Sequence, residues 1–447
     1  MRTRTPRTRT WRTRLGLLVA ASLTAAVSAS GGAVDAAAAP AGGHPRCAGH
    51  DHHTCVPRTV VLDGHRLAET RRALHEGSDP ARTAALTALL AQADAELTTG
   101  PWTVTGKQQL PPSGDRHDYL SLAPYYWPTE PQTPDNPWGC PYENRDGQRN
   151  PIVDTIPDHA GRLDAFTAIY QLSLAWYYTG DRRYADRAEL DLRTWFTDPA
   201  TRMNPNMNYA QGIPCQVDGR GIGIIEFSYL LTQVVDATAI LDAGAPGWTD
   251  GDRQGVLGWD GAFLDWLRTS KNGREEAAAS NNHGSFDDLM TAALALYTGR
   301  TDTARRIVLE AAGKRLDVQI DADGSQPQER TRTRTWHYFN FNLVALTRLA
   351  QLGRHLGIDL WDHRTPAGSD LADAVDFLIP TATSTPANWP YPETDLRRYA
   401  ALDVLHAAAD AGDDAARRAL PDVPPPPGGD LYPVRPAAEQ LDDISKA

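Results

Sequence analysis

The sequence predicts an all-α fold, a single domain of antiparallel helix pairs set in a curved or toroidal array with loops gathered on one face. Three observations predict it. Apolar residues recur at helical spacing through most of 66–356. Pairs of such stretches meet at short glycine breaks, Thr179-Gly180-Asp181 and Thr298-Gly299, as αα-hairpins do. Few stretches alternate at period two. With 447 residues, 41% hydrophobic and 8% aromatic, the chain can bury a large core.

Taken in order, residues 1–39 read as a secretory signal peptide. Six isolated Arg without an acid precede the short apolar run 15–29, and the alanine-rich 34–39 offers Ala-x-Ala cleavage sites. The run is too short to span a bilayer as a stable helix, and no paired Arg marks a twin-arginine route. Cleavage after Ala39 leaves 38 basic and 55 acidic residues. That acidity argues against nucleic-acid or membrane partners, and any polyanionic substrate then needs a local basic patch. Four cysteines in an exported chain point to disulfides, with Cys47–Cys55 and Cys140–Cys215 the favoured pairing. The segment around Cys47 and Cys55 also holds His44, His50, His52 and His53, and a metal cluster is its alternative reading, although the spacing fits no standard zinc pattern.

Residues 40–59 read as a mobile N-terminal segment. Two helices follow over 66–97, split by Gly77-Ser78-Asp79-Pro80. Residues 99–159 form a long loop region rich in proline and aromatics, including Tyr119, Tyr125 and Trp127; loops of that length are usually functional, and aromatic faces stack on sugar rings. Helical spacing then returns at 163–177, 184–195, 222–242, 252–269, 289–297, 304–309 and 341–356. Residues 421–447, with a run of four prolines and two glycines, read as a tail with little fold of its own. The most informative stretch is Ser280-Asn281-Asn282-His283-Gly284, at a helix entrance. One Asn suits the N-cap; the second amide, the imidazole and the positive helix end suit a site that holds a carboxylate and moves a proton beside it.

Six segments together resemble the alginate lyase family of polysaccharide lyases. They are His117-Asp-Tyr119-Leu-Ser-Leu-Ala-Pro-Tyr125-Tyr-Trp127-Pro; Arg145-Asp-Gly147 with Asn150-Pro; Met203 through Gln211; Gly219-Arg220-Gly; Asn281-Asn282-His283-Gly284; and Asp323 through Glu329, followed by Arg332, Tyr338 and Phe341-Asn342. They stand in the family's order and span about residues 60–395. The resemblance implies an incomplete (α/α) toroid over 60–420 and cleavage of a 4-linked polyuronate by β-elimination. No metal or cofactor is expected, because no His/Asp/Glu cluster outside 44–55 has ligand spacing and Asn282 and Arg332 can neutralise the substrate carboxylate. The sequence departs from the family after Gly284. Asp287-Asp288 replaces a Tyr-Asp pair and Met290 stands where a Gln is usual, so contacts from this helix are expected to differ.

Elimination removes the C5 proton, which is acidic only when the adjacent carboxylate is neutralised, and protonates the O4 leaving group. Asn282 and Arg332 are the candidate neutralisers, His283 or Tyr338 the base, and Tyr338 the acid. Asn281, Gln211, Arg220, Gln326, Tyr119, Tyr125 and Trp127 are candidate substrate contacts. Arg330, Arg332 and Arg334 form a basic run before Tyr338, and Asp323 and Glu329 read as positioning residues. Two alternatives remain at this point: a glycoside hydrolase using Glu329 and Asp287, and a non-catalytic uronate-binding protein. An acidic polysaccharide is the expected partner, and a monomer the expected state.

Overall fold

The computed structural model describes residues 55–385 and 387–435. The signal peptide, Cys47, the histidines of the alternative metal cluster and residues 436–447 lie outside them. Two helices, α1 (Gly64–Glu76) and α2 (Pro80–Glu96), are capped by Asp63 and Asp79 and separated at Gly77, whose φ of 63° is the left-handed geometry that glycine adopts freely. Two hairpins follow. The first joins α3 (Asp158–Thr179) to α4 (Arg182–Leu192) through Gly180 at φ 73°. After α5 (Ile225–Leu241), α6 (Asp250–Thr269) and the short α7 (Lys271–Ala277), the second joins α8 (Asn282–Tyr297) to α9 (Thr301–Ala311). A single turn, α10 (Asp317–Gln319), precedes α11 (Thr335–His355), and α12 (Leu371–Asp376), α13 (Ile379–Thr383), α14 (Leu402–Ala411) and α15 (Asp414–Ala419) complete the described helices.

The helices form two layers. Helices α3, α5, α8 and α11 are buried along nearly their whole length and pack in that order, α3 on α5, α5 on α8 and α8 on α11. This is why their sequences are apolar on every face rather than along one stripe. Helices α4, α6 and α9 bury one stripe each and cover the inner layer. Phe166 of α3 shows how the layers lock: its ring meets Trp195, Phe196 and Phe227 at centroid distances of 5.4, 5.7 and 5.2 Å.

Four short strands occur among the described residues, all in loops: β1 (Leu120–Leu122) pairs in parallel with β4 (Tyr209–Gly212), and β2 (Tyr126–Pro128) pairs antiparallel with β3 (Tyr142–Asn144). The expected Cys140–Cys215 disulfide is present and ties the β2–β3 hairpin to the loop after β4. Cys55 is also disulfide-bonded.

Both ends of the described chain are tied to the helices. Asp236 of α5 accepts backbone N–H bonds from Val60 (2.6 Å), Val61 (3.2 Å) and Leu62 (2.7 Å). Replacing Asp236 by Ala strands three buried donors and is expected to cost about 3 kcal/mol, read as a lower denaturation midpoint. At the other end, residues 423–435 add no helix, yet Leu431, Tyr432 and Val434 are buried, and Tyr432 stacks on His406 at 4.3 Å.

Candidate active site

The inner helices begin on one face. His159 near the start of α3, Glu226 of α5, Asn282 and His283 of α8, and His337 and Tyr338 of α11 all line one cavity of about 780 Å³. Four helix N-termini thus turn their positive ends toward the same space, which favours an anionic ligand in a chain of net charge −12. The loop strands supply the facing wall, through Tyr125, Tyr126, Asp146 and Gln211.

At the mouth of α8, Asn281 is the N-cap and accepts from the His283 N–H at 3.3 Å. Asn282 is held by Glu329: its backbone N–H donates to Oε1 at 2.8 Å, and its Nδ2 donates to Oε1 at 2.9 Å and Oε2 at 2.8 Å. Burial pushes the Glu329 carboxyl up, while those Asn282 bonds and the Arg332 charge oppose the shift. His283 places Nδ1 at 2.9 Å from Glu276 Oε1.

Across the cavity, Arg332 Nη2 donates to Tyr338 Oη at 2.7 Å and to Asp146 Oδ1 at 2.8 Å, and Tyr125 Oη lies 3.0 Å from Tyr338 Oη. Asp146 reaches this position because Gly147, at φ 75°, lets the loop press against Thr333, where a Cβ would collide. The Arg332 Nη1 has no protein partner among the described residues. Burial opposes the Arg332 charge, but Tyr338 and Asp146 together raise its pKa above the ordinary value. Burial, with Tyr125 beside it, pushes the Tyr338 phenol well above its usual range, and Arg332 only partly offsets this. Desolvation outweighs the Arg332 charge, so the resting phenol is protonated. Beside it, burial and the charges of Arg334, Arg332 and Arg397 hold His337 down to about 3, a neutral ring stacked on Phe341 at 5.6 Å.

The structure therefore gathers Tyr125, Gln211, Arg220, Asn281, Asn282, His283, Arg332 and Tyr338 around one cavity. It does not bring Tyr119, Trp127 or Gln326 to its wall. Tyr119 is fully buried and donates to Glu226 Oε2 at 2.8 Å, a core role. Trp127 packs in its loop, with Nε1 on Gln148 O at 2.8 Å and Arg145 over its ring. Gln326 is buried, donating to Phe339 O at 3.1 Å and accepting from Asn342 at 2.8 Å. The basic run is not a single patch either: Arg330 pairs outward with Asp321, Arg334 is buried at the start of α11, and Arg332 alone of the three lines the cavity. The departures after Gly284 fall off the wall as well. Asp287 and Met290 are buried, and Asp288 accepts from Arg315 at 2.8 Å.

A family model described as alginate lyase matches residues 103–389. The chain belongs to the alginate lyase family. A crystal structure of an alginate lyase from Bacteroides ovatus is 32% identical, with a TM-score of 0.78 over 86% of this chain and 100% of that one. Alginate lyase A1-III from Sphingomonas species A1 shares the fold at 17% identity, with a TM-score of 0.52 over 87% of this chain and 99% of its own. A variant of A1-III complexed with a tetrasaccharide gives 18% identity and 0.55 over 86% and 98%. No curated protein matches. The chain is a polysaccharide lyase with the (α/α) toroid fold of that family, and its substrate is a polysaccharide.

Within this lyase, sequence reasoning overlooked Glu276, Asp146, His159 and Glu226. Asp146 stood in a quoted motif without a role, and the positive-φ glycine after it was the available signal. The others carried none. Glu276 precedes His283 across a helix break, where helical periodicity says nothing, and His159 and Glu226 meet only through the tertiary fold, 3.6 Å apart.

Proposed function

We propose that this lyase cleaves alginate or a related 4-linked polyuronate by β-elimination, leaving an unsaturated uronate at each new non-reducing end. The Arg332–Tyr338 contact carries the reading, because it puts a permanent cation and a protonated phenol side by side on the wall of a cavity that also holds His283. The free Nη1 of Arg332 neutralises the C5 carboxylate, so the C5 proton becomes acidic and the developing enolate is stabilised. Asn282 assists: its Nδ2 carries two hydrogens, and a bound carboxylate competes with Glu329 for one of them. A base takes the proton from C5, the C4–C5 double bond forms, the C4–O4 bond breaks with its electron pair passing to O4, and Tyr338 gives O4 a proton. With the resting phenol protonated, His283 is the base for substrates whose C5 proton and O4 lie on opposite faces, as in guluronate. For mannuronate, where they share a face, Tyr338 serves in both steps: its resting proton passes to solvent, the phenolate held beside Arg332 takes the C5 proton, and that same proton is handed to O4.

The hydrolase alternative is less well supported. Asp287 and Glu329 do not line the cavity, and Glu329 is occupied by Asn282. Export fits the Cys140–Cys215 disulfide, which persists in oxidising compartments, and agrees with the signal peptide proposed at 1–39 from its arginines, apolar run and Ala-x-Ala sites.

Arg220 lines the cavity, donates to Gln211 O and Oε1 at 3.0 Å each and lies over the Tyr126 ring, with the charges of Glu226 and Glu276 acting on it without a hydrogen bond among the described residues. We assign it to the carboxylate of a neighbouring sugar, which does not change during reaction. Arg220→Ala is therefore expected to raise KM about tenfold with kcat nearly unchanged. Steady-state kinetics on a defined oligouronate checks this, and a fall in kcat alone would move Arg220 into the chemical step. Incubating the enzyme with mannuronan, guluronan and glucuronan and following ultraviolet absorbance tests the reaction itself. A rise on at least one is expected; depolymerisation of all without absorbance would overturn elimination.

A further inference from the structure

Resting on that elimination reading, we infer that Glu276 is a positioning residue that makes His283 a base by fixing its tautomer. Glu276 lies in the last turn of the short α7 and is fully buried, and its Oε1 meets His283 Nδ1 at 2.9 Å. An ionised carboxylate only accepts hydrogen bonds, so Nδ1 carries the hydrogen and Nε2 keeps its lone pair for a proton from substrate. Carboxylate partners orient imidazoles in this way in metal sites and hydrolytic triads.

The backbone around the pair is built to hold this geometry. Helix α7 presses on the turn before α5 so closely that a Cβ at Gly221 would lie 2.7 Å from Glu275 Cβ and 3.2 Å from the Glu276 nitrogen. On the other side Arg315 donates to Ala277 O at 3.0 Å and to Asp288 Oδ2 at 2.8 Å, and it also bonds Ala279 O, so the link from α7 to α8 is clamped by one guanidinium. Gly284 lies against that same clamp, where a Cβ would collide with Ala279 O and Arg315. Glu276 itself gains little for the fold. Its Oε2 is buried without a hydrogen-bond partner among the described residues, and burial, with Glu276 beside it, pushes the neighbouring Asp287 carboxyl well above its usual range. A buried carboxylate whose one hydrogen bond among the described residues runs to a cavity imidazole is better explained by what it does to that imidazole than by stability.

The test is a double-mutant cycle of Glu276→Gln and His283→Ala, read on whichever of polymannuronate and polyguluronate His283→Ala slows more. The Gln amide can donate to Nδ1 and so displace the hydrogen to Nε2, which removes the base while keeping the shape. On that polymer Glu276→Gln is expected to lower kcat about tenfold to a hundredfold with KM little changed, and to cost nothing further in the His283→Ala background. Glu276→Asp, which keeps the carboxylate, should recover part of the rate. Equal losses on both polymers, multiplication of the two losses, no loss at all, or an unfolded Glu276→Gln chain whose Asp counterpart shows no selective effect would each overturn the inference. Ultraviolet product from the wild-type enzyme reports separately on elimination, so the two readings fail independently.

Discussion

Tyr338→Phe is expected to abolish nearly all turnover while leaving substrate binding and the fold intact. The ring stays, so its contact with the Arg332 guanidinium, 3.7 Å from the ring centroid, and its edge against His337 are preserved. What is lost is the one oxygen that joins Arg332 to Tyr125. On the proposed mechanism that oxygen protonates O4 for every substrate and also takes the C5 proton from same-face substrates. The loss should therefore exceed about a hundredfold in kcat on both polymers, the typical contribution of general acid–base catalysis. His283→Ala should hurt opposite-face substrates more than same-face ones. A folded Tyr338→Phe enzyme keeping more than about a tenth of wild-type kcat would remove the residue from the chemistry.

Arg332→Ala is expected to be comparably damaging for a different reason. The substrate carboxylate becomes enolate-like only in the transition state, so losing its cation should lower kcat by at least about a hundredfold, near 3 kcal/mol. The same change leaves Asp146 without its ion pair. Burial pushes that carboxyl up, and the hydrogen bond and charge of Arg332 together with the hydrogen bonds from Thr333 bring it below its ordinary value. With Arg332 gone, burial raises the Asp146 pKa and the loop at 145–147 loosens. Arg332→Lys separates the two effects: a lysine keeps the charge but loses the fork that spans Asp146 and Tyr338, so it should recover part of the rate and little of the loop's order. If Arg332→Ala raised KM and left kcat untouched, the residue would be an ordinary binding contact.

Much of the fold was legible because helices write their periodicity locally. The breaks at Gly77, Gly180 and Gly299 fall where the sequence placed them, and one of the two adjacent asparagines, Asn281, caps α8. What local pattern could not reveal was which polar residues share a space. Tyr119 and Tyr125 lie six positions apart in one aromatic loop, yet one is buried against Glu226 and the other faces the cavity; only the pairing of β1 with β4 decides which. The electrostatics followed the same rule. Arg332 was visible beside Tyr338 in sequence, but the burial that outweighs its charge, and the Tyr125 hydroxyl that adds to it, arise only from the tertiary fold. Asn282 was assigned from its neighbours, and its partner Glu329 arrives from a loop 47 residues away.

The most direct test of the central claim is the mass of the short products released from alginate by the wild-type enzyme. Elimination adds no water, so each new non-reducing end should be one water lighter than a saturated oligouronate of the same length. Product ends at the full saturated mass would show that water was the nucleophile and contradict the account.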